Sequence, residues 1–155
     1  MIIYSPIYLH EYLGFAWNKI GIIFTIMLLP FVFLDFPLGK LSDKIGEKKM
    51  LFVGFMISAV FTLLIPLILE PTLWLWAMIL FTTRIGAAII EIMSESYFFK
   101  SVTERNDDEI SFFRNTGPLS FLIAPLCATG LLFVLPSFKY LFFVLGAVMF
   151  IGALI

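Results

Sequence analysis

The sequence predicts an all-α, polytopic bundle of transmembrane helices, and two observations lead to this prediction. The first is composition, because 61% of the 155 residues are hydrophobic and only 14% are charged. A soluble domain has about 45–50% apolar and about 25% charged residues. The second is arrangement, because long apolar segments alternate with short polar connections along the whole chain. A chain this apolar cannot cover a water-facing globule with polar groups, so its excess apolar surface has to face lipid.

The apolar segments predict five membrane spans and part of a sixth helix. About 20 residues of helix cross a hydrocarbon core of about 30 Å. Residues 1–9 are apolar but too few to span, and they are interpreted as a partial helix. The predicted spans cover about residues 20–38, 50–69, 73–99, 112–135 and 138–155.

We expect residues 1–155 to form one membrane domain that is a fragment of a longer protein, because of the segments at its two ends. The partial helix at 1–9 and the short span at 138–155 would each leave a charged terminus in or near the hydrocarbon, which is costly. The alternative is a genuinely short protein whose end helices tilt or locally thin the bilayer.

The charges in the connections predict an orientation. Segments 39–49 and 100–111 are basic, whereas the connections near Glu70 and Pro136 carry little or no basic charge. The positive-inside rule therefore places 39–49 and 100–111 in the cytoplasm, and we expect the membrane to be the plasma membrane. On the opposite side, Trp74 and Trp76 are expected in an interfacial aromatic belt.

The signature segment, residues 39–49, has a specific pattern of residue types. It resembles the signature loop of the major facilitator superfamily, in which a Gly is followed four residues later by an Asp, then by a basic residue, a Gly and a basic cluster. The matching positions are Gly39, Asp43, Lys44, Gly46, Lys48 and Lys49.

Physical chemistry gives these positions distinct roles. Gly39 and Gly46 permit tight turns, and Asp43 can accept hydrogen bonds from the N-terminus of a neighbouring helix. The lysines can pair with acidic residues at adjacent helix ends. The alternative is an ordinary positive-inside turn without a gating role.

The resemblance implies half of a major facilitator superfamily fold. Such a transporter has twelve helices in two six-helix bundles and moves a small solute by alternating access. Its partners would be the lipid bilayer, a small-molecule substrate and the missing half, while coupling to a proton stays open. Glu47 stands where the family commonly has Arg, and this departure favours the C-terminal half (the end of helix 7 to helix 12) over the N-terminal half.

The span at 73–99 contains three ionisable residues on one helical face. Arg84, Glu91 and Glu95 lie within about 20° of a common line, with Ala88 beside them. A charge at the membrane centre costs about 2.5–3.5 kcal/mol, so this face must contact protein or a wet cavity. Arg84 is the favoured candidate for a pathway or coupling role. Glu91 fits such a role and a structural pair equally, and Glu95 is expected mainly to pair with the basic segment at the interface.

Two further charges are candidates for a structural pair. Asp35 lies four residues before Gly39, and we expect it to pair at the cytoplasmic end with a cation such as Arg114.

Other function classes find little support in the sequence. One His and one Cys exclude a zinc or Cys–His site built from this chain alone, and we expect no cofactor and no catalytic residue. No H-E-x-x-H, G-x-S-x-G or P-loop motif indicates an enzyme. The net charge of -1 gives no reason to expect nucleic acid as a partner. The alternative to a transporter is a non-transporting membrane scaffold or assembly protein, which the charged face of the 73–99 span disfavours.

Overall fold

The computed structural model describes residues 4–102 and 107–154, apart from the side chains of Asp35 and Asp107. Neither described range contains a strand, and this confirms the all-α prediction. A single 3-10 turn, Ile65–Leu67, follows the third helix. The helices are α1 (Tyr4–Glu11), α2 (Trp17–Ile45), α3 (Glu47–Leu64), α4 (Leu73–Ser101), α5 (Asp107–Val134) and α6 (Lys139–Leu154).

Several helices are long and apolar enough to cross a membrane. Within the described residues, four helices have the length and apolar character needed to cross a bilayer, at Trp17–Leu34, Glu47–Leu67, Leu73–Ser101 and Asp108–Val134. The helix α6 is also strongly apolar but has 16 residues. At about 1.5 Å per residue it is about 24 Å long.

The helix α2 is longer than the predicted span at 20–38 and includes much of the segment expected to form a loop. It continues through Gly39 to Ile45, so Gly39 does not form the expected turn. Only Gly46 separates α2 from α3, and its φ of +91° lies in the region that favours glycine. No helix breaker stands between the two glycines, and Lys and Leu are good helix formers. The helix therefore continues beyond the end of the apolar span.

The core of the bundle consists of α2, α3, α4 and α6. The helix α4 packs against both α2 and α3, and α3 also packs against α6. One buried apolar group joins α1 to the first halves of α2 and α4 and includes Leu9, Ile23 and Leu80. A second group lies at the opposite end of α2 and consists of Leu38, Met50, Ile89 and Met93.

The backbones of α3 and α4 approach closely between these two apolar groups. A Cβ placed on Gly86 would lie 2.8 Å from the carbonyl oxygen of Gly54 and 2.4 Å from the Oγ of Ser58. A Cβ on Gly54 would lie 3.1 Å from the carbonyl oxygen of Gly86. Small residues permit this approach, as is common where membrane helices pack.

Trp76 does not belong to an aromatic belt, and the expectation for it was wrong. Trp74 is exposed, but Trp76 is buried. The Trp76 Nε1–H donates to the carbonyl oxygen of Glu70 at 2.9 Å, and its ring centroid lies 5.9 Å from that of Tyr8. Residues two apart on a helix point about 160° away from each other, so one of the two tryptophans faces inward.

The helix α5 lies at the edge of the bundle. Only 6% of its span is buried, compared with 44% of the α4 span. The Tyr4 hydroxyl donates to the carbonyl oxygen of Pro125 at 2.9 Å. The rings of Phe98 and Phe113 stack with their centroids 4.0 Å apart. Contacts at a few positions, rather than along its length, thus hold α5 to the other helices.

Candidate functional site

Lys100, in the last turn of α4, connects the end of α2 to the start of α3. Its Nζ lies 3.2 Å from Oδ1 of Asp43 and 2.5 Å from Oε1 of Glu47. Glu47 also accepts a hydrogen bond from the Ser96 hydroxyl at 3.5 Å. We call this group of Lys100, Asp43 and Glu47 the lysine bridge. It joins three helices at one end of the bundle.

The two halves of the lysine bridge differ in exposure. The Glu47 side chain is 16% exposed, whereas that of Asp43 is 69% exposed. Because water and salt screen exposed charges more strongly, the contact with Glu47 is the firmer of the two. Helix dipoles add to it, since Glu47 lies in the first turn of α3 and Lys100 in the last turn of α4.

The lysines of the signature segment lie outside this bridge. Among the described side chains they are exposed and form no ion pair. The Nζ of Lys40 lies 4.3 Å from the centroid of the Phe36 ring, and that of Lys48 lies 5.6 Å from the centroid of Tyr97. These cation–π contacts are weak at exposed sites, so the charges stay available. The four residues are Lys40, Lys44, Lys48 and Lys49.

Arg84 is half-buried in the middle part of α4. Ala88, one turn away, is fully buried, whereas Glu91 is exposed. Arg84 and Glu91 form no ion pair within the described part of the chain. Glu95, further along the same helix, is exposed, and its expected pairing with the basic segment is not found among the described side chains.

The pairing expected between Asp35 and Arg114 lies outside the described side chains. Arg114 is exposed near the start of α5, and Asp35 lies in α2 with its side chain not described. The described residues contain no group of three or more His, Cys, Asp or Glu that is suited to a metal ion.

The sequence matches a known protein family along its whole length. The family model described as Major Facilitator Superfamily matches residues 1–155. The chain belongs to the major facilitator superfamily. It is therefore an integral membrane protein of the transporter type, from a family of transporters rather than enzymes. No curated protein and no solved structure matched the chain in the corresponding comparisons.

The lysine bridge is the part of this superfamily member that sequence reasoning missed. The sequence identifies Glu47 only as a departure from the family pattern, and it identifies the lysines as cations that can pair with acidic residues at adjacent helix ends. In the structure the carboxylates of the signature segment bind a lysine from outside it. Asp43 lies beside Lys100 at the carboxyl end of α4, not at a helix N-terminus. One sequence signal could have predicted this bridge. Lys100 follows the predicted span at 73–99, on the same predicted side of the membrane as Asp43 and Glu47.

Proposed function

We propose that this protein is a secondary active transporter that moves a small solute across a membrane by alternating access. The match of residues 1–155 to the superfamily carries the proposal. Arg84 supports it, because a charge in the middle of a span costs about 2.5–3.5 kcal/mol. A passive scaffold gains nothing from that cost. The alternative function is a non-transporting scaffold or assembly protein.

The chain supplies one six-helix half of that transporter, and the second half is its expected partner. Glu47, standing where the family commonly has Arg, favours the C-terminal half. In this proposal the lysine bridge fastens α2, α3 and α4 in one of the two access states. Asp43, the more exposed of the two carboxylates, is the contact that opens more easily.

Uptake by the reconstituted full-length protein tests the proposed function. Proteoliposomes would be offered radiolabelled sugars, amino acids and organic cations, each with and without a pH gradient. We expect one class to enter faster than in protein-free liposomes, and dependence on the gradient would identify a coupling proton. Asp43→Asn should change the rate while insertion into the membrane is unchanged. Uptake of no class above the protein-free level would favour the scaffold.

A double-mutant cycle tests the role of Arg84. Arg84→Ala should lower uptake at least about tenfold, and the additional change Glu91→Ala should recover part of the loss, because an unpaired charge in a low-dielectric site is costly. Arg84→Lys should be only partly tolerated, since an ammonium does not reproduce a planar guanidinium. Uptake is measured beside thermal stability in detergent for each variant. Strict additivity in both measurements would show that the two residues do not interact.

A further inference from the structure

The junction of α2 and α3 carries an excess of positive charge that no described side chain neutralises through an ion pair. The signature segment contains four lysines and two carboxylates. Both carboxylates are bound by Lys100, which comes from α4. With Lys100 counted, the junction has five ammonium groups and two carboxylates. None of the four lysines of the signature segment forms an ion pair within the described residues.

The length of α2 predicts that Lys40 and Lys44 lie at the membrane surface. Its 29 residues make a helix of about 43 Å, longer than a hydrocarbon core of about 30 Å. The apolar span of α2 ends at Leu34. When that span lies in the hydrocarbon, the following turns, which carry Lys40 and Lys44, pass through the headgroup layer.

The outward face of α2 carries the lysines, and its inward face is packed. Leu38 and Ser42 are buried, whereas Lys40 and Lys44 are exposed. Each of these lysines lies two residues after a buried one, which is about 160° around the helix. Lys40 and Lys44 thus point away from the other described helices.

Exposed apolar side chains lie one turn deeper than the lysines on both helices. Phe36 is 74% exposed and precedes Lys40 by one turn, and the Lys40 ammonium lies over its ring. On α3, Phe52 is 48% exposed and follows Lys48 by one turn. A phospholipid has a complementary arrangement, with a charged phosphate at the level of the lysines and acyl chains at the level of the phenylalanines.

From these observations we propose that Lys40, Lys44, Lys48 and Lys49 form a binding surface for the headgroups of anionic phospholipids. The phosphate and its negative charge lie between the ammonium groups, and the acyl chains lie against Phe36 and Phe52. Neutral phospholipids offer no net charge, so the surface selects against them. The apolar residues favour a lipid over a soluble phosphate. This inference does not depend on transport, because lipid binding is measured without a substrate.

Titration of the purified full-length protein with lipid tests this inference. Phosphatidylglycerol or phosphatidylcholine is added in neutral detergent, and the midpoint of thermal unfolding is followed by tryptophan fluorescence. We expect a saturable rise with phosphatidylglycerol alone, weakened by added salt. A lysine near an anionic surface contributes roughly fivefold in affinity. Lys44→Gln combined with Lys49→Gln should therefore raise the half-saturating lipid concentration about 25-fold.

Controls separate lipid binding from general effects. Lys19→Gln combined with Lys139→Gln removes the same charge at the opposite end of the bundle and should leave the titration unchanged. Native mass spectrometry of the unaltered protein, which needs no variant to fold, should count more bound phosphatidylglycerol than phosphatidylcholine. Equal effects of the two lipids, or an unchanged titration in the Lys44 and Lys49 variant, would overturn the proposal. The same shift with glycerol 3-phosphate would replace the lipid surface with a soluble-anion site.

Discussion

At the scale of single residues, Gly86 has little freedom to change. Its Cα faces the backbone of α3, and the atoms nearest to an added Cβ are the Ser58 hydroxyl, the Ser58 nitrogen and the Gly54 carbonyl oxygen. Two of these three are backbone atoms, which cannot move aside by rotating a side chain. Any larger residue at position 86 therefore has to push α3 and α4 apart.

Gly86→Ala should destabilise the bundle by about 1–3 kcal/mol, the usual cost of forcing extra volume into a packed contact. The measurement is the midpoint of thermal unfolding in detergent. Gly21→Ala is the matched control, because an added Cβ on that glycine of α2 meets nothing within 4 Å. The control should be neutral or gain up to about 1 kcal/mol from helix propensity. Equal effects of the two substitutions would contradict the close approach of α3 and α4.

The sequence predicts a residue's position best when its contacts are to residues nearby in the chain. The turn at Gly46 was predicted correctly, but the same expectation for Gly39 was wrong, because residue type shows that a glycine permits a turn and not that the helix ends there. The burial of Trp76 could not, because periodicity gives the angle between Trp74 and Trp76 but not which of them faces Tyr8. The partner of Glu47 could not be predicted either, because it lies 53 residues away on α4. Only the packing of α3 against α4 brings the two charges together.

At the scale of the elements, the lysine bridge connects α4 to the junction of α2 and α3. Hydropathy predicted that helices exist here, because each apolar span needs its backbone hydrogen bonds satisfied internally. Hydropathy did not predict that α2 continues to Ile45, because a helix in the headgroup layer or in water no longer needs apolar residues. The lysine bridge contacts this extension of α2 through Asp43, beyond the end of the apolar span.

Reversing the charge at position 100 should loosen this junction. Lys100→Glu places a carboxylate beside Asp43 and Glu47, so the repulsion should lower the midpoint of thermal unfolding more than Lys100→Gln does. Adding Glu47→Lys to Lys100→Glu restores one opposite-charge pair and should recover part of the midpoint. High salt should reduce these differences, since the contacts are partly exposed. A midpoint that is the same for Lys100→Glu and Lys100→Gln would show that the bridge does not hold the helices together.

At the scale of the whole molecule, the unequal distribution of lysines predicts one orientation in the membrane. The junction of α2 and α3 is rich in lysine, whereas the connection between α3 and α4 has none. Cysteine labelling with an impermeant maleimide tests this orientation in a Cys127→Ser background. Glu70→Cys should react in intact cells, and Ile45→Cys should react only after permeabilisation. The reverse pattern would place the signature segment outside.

The peripheral position of α5 has a consequence for how the chain is assembled during synthesis. The helix α6 packs on α3, with Gly146 against Leu63 and Gly152 against Phe55, yet α4 and α5 are made between them. The roughly 40 residues from the end of α4 to the start of α6 take about 2–8 s to translate at about 5–20 residues per second. During that interval the surface of α3 that later binds α6 faces lipid or an insertion factor. Because α5 packs little against the bundle, it does not compete for that surface while the nascent chain waits for α6.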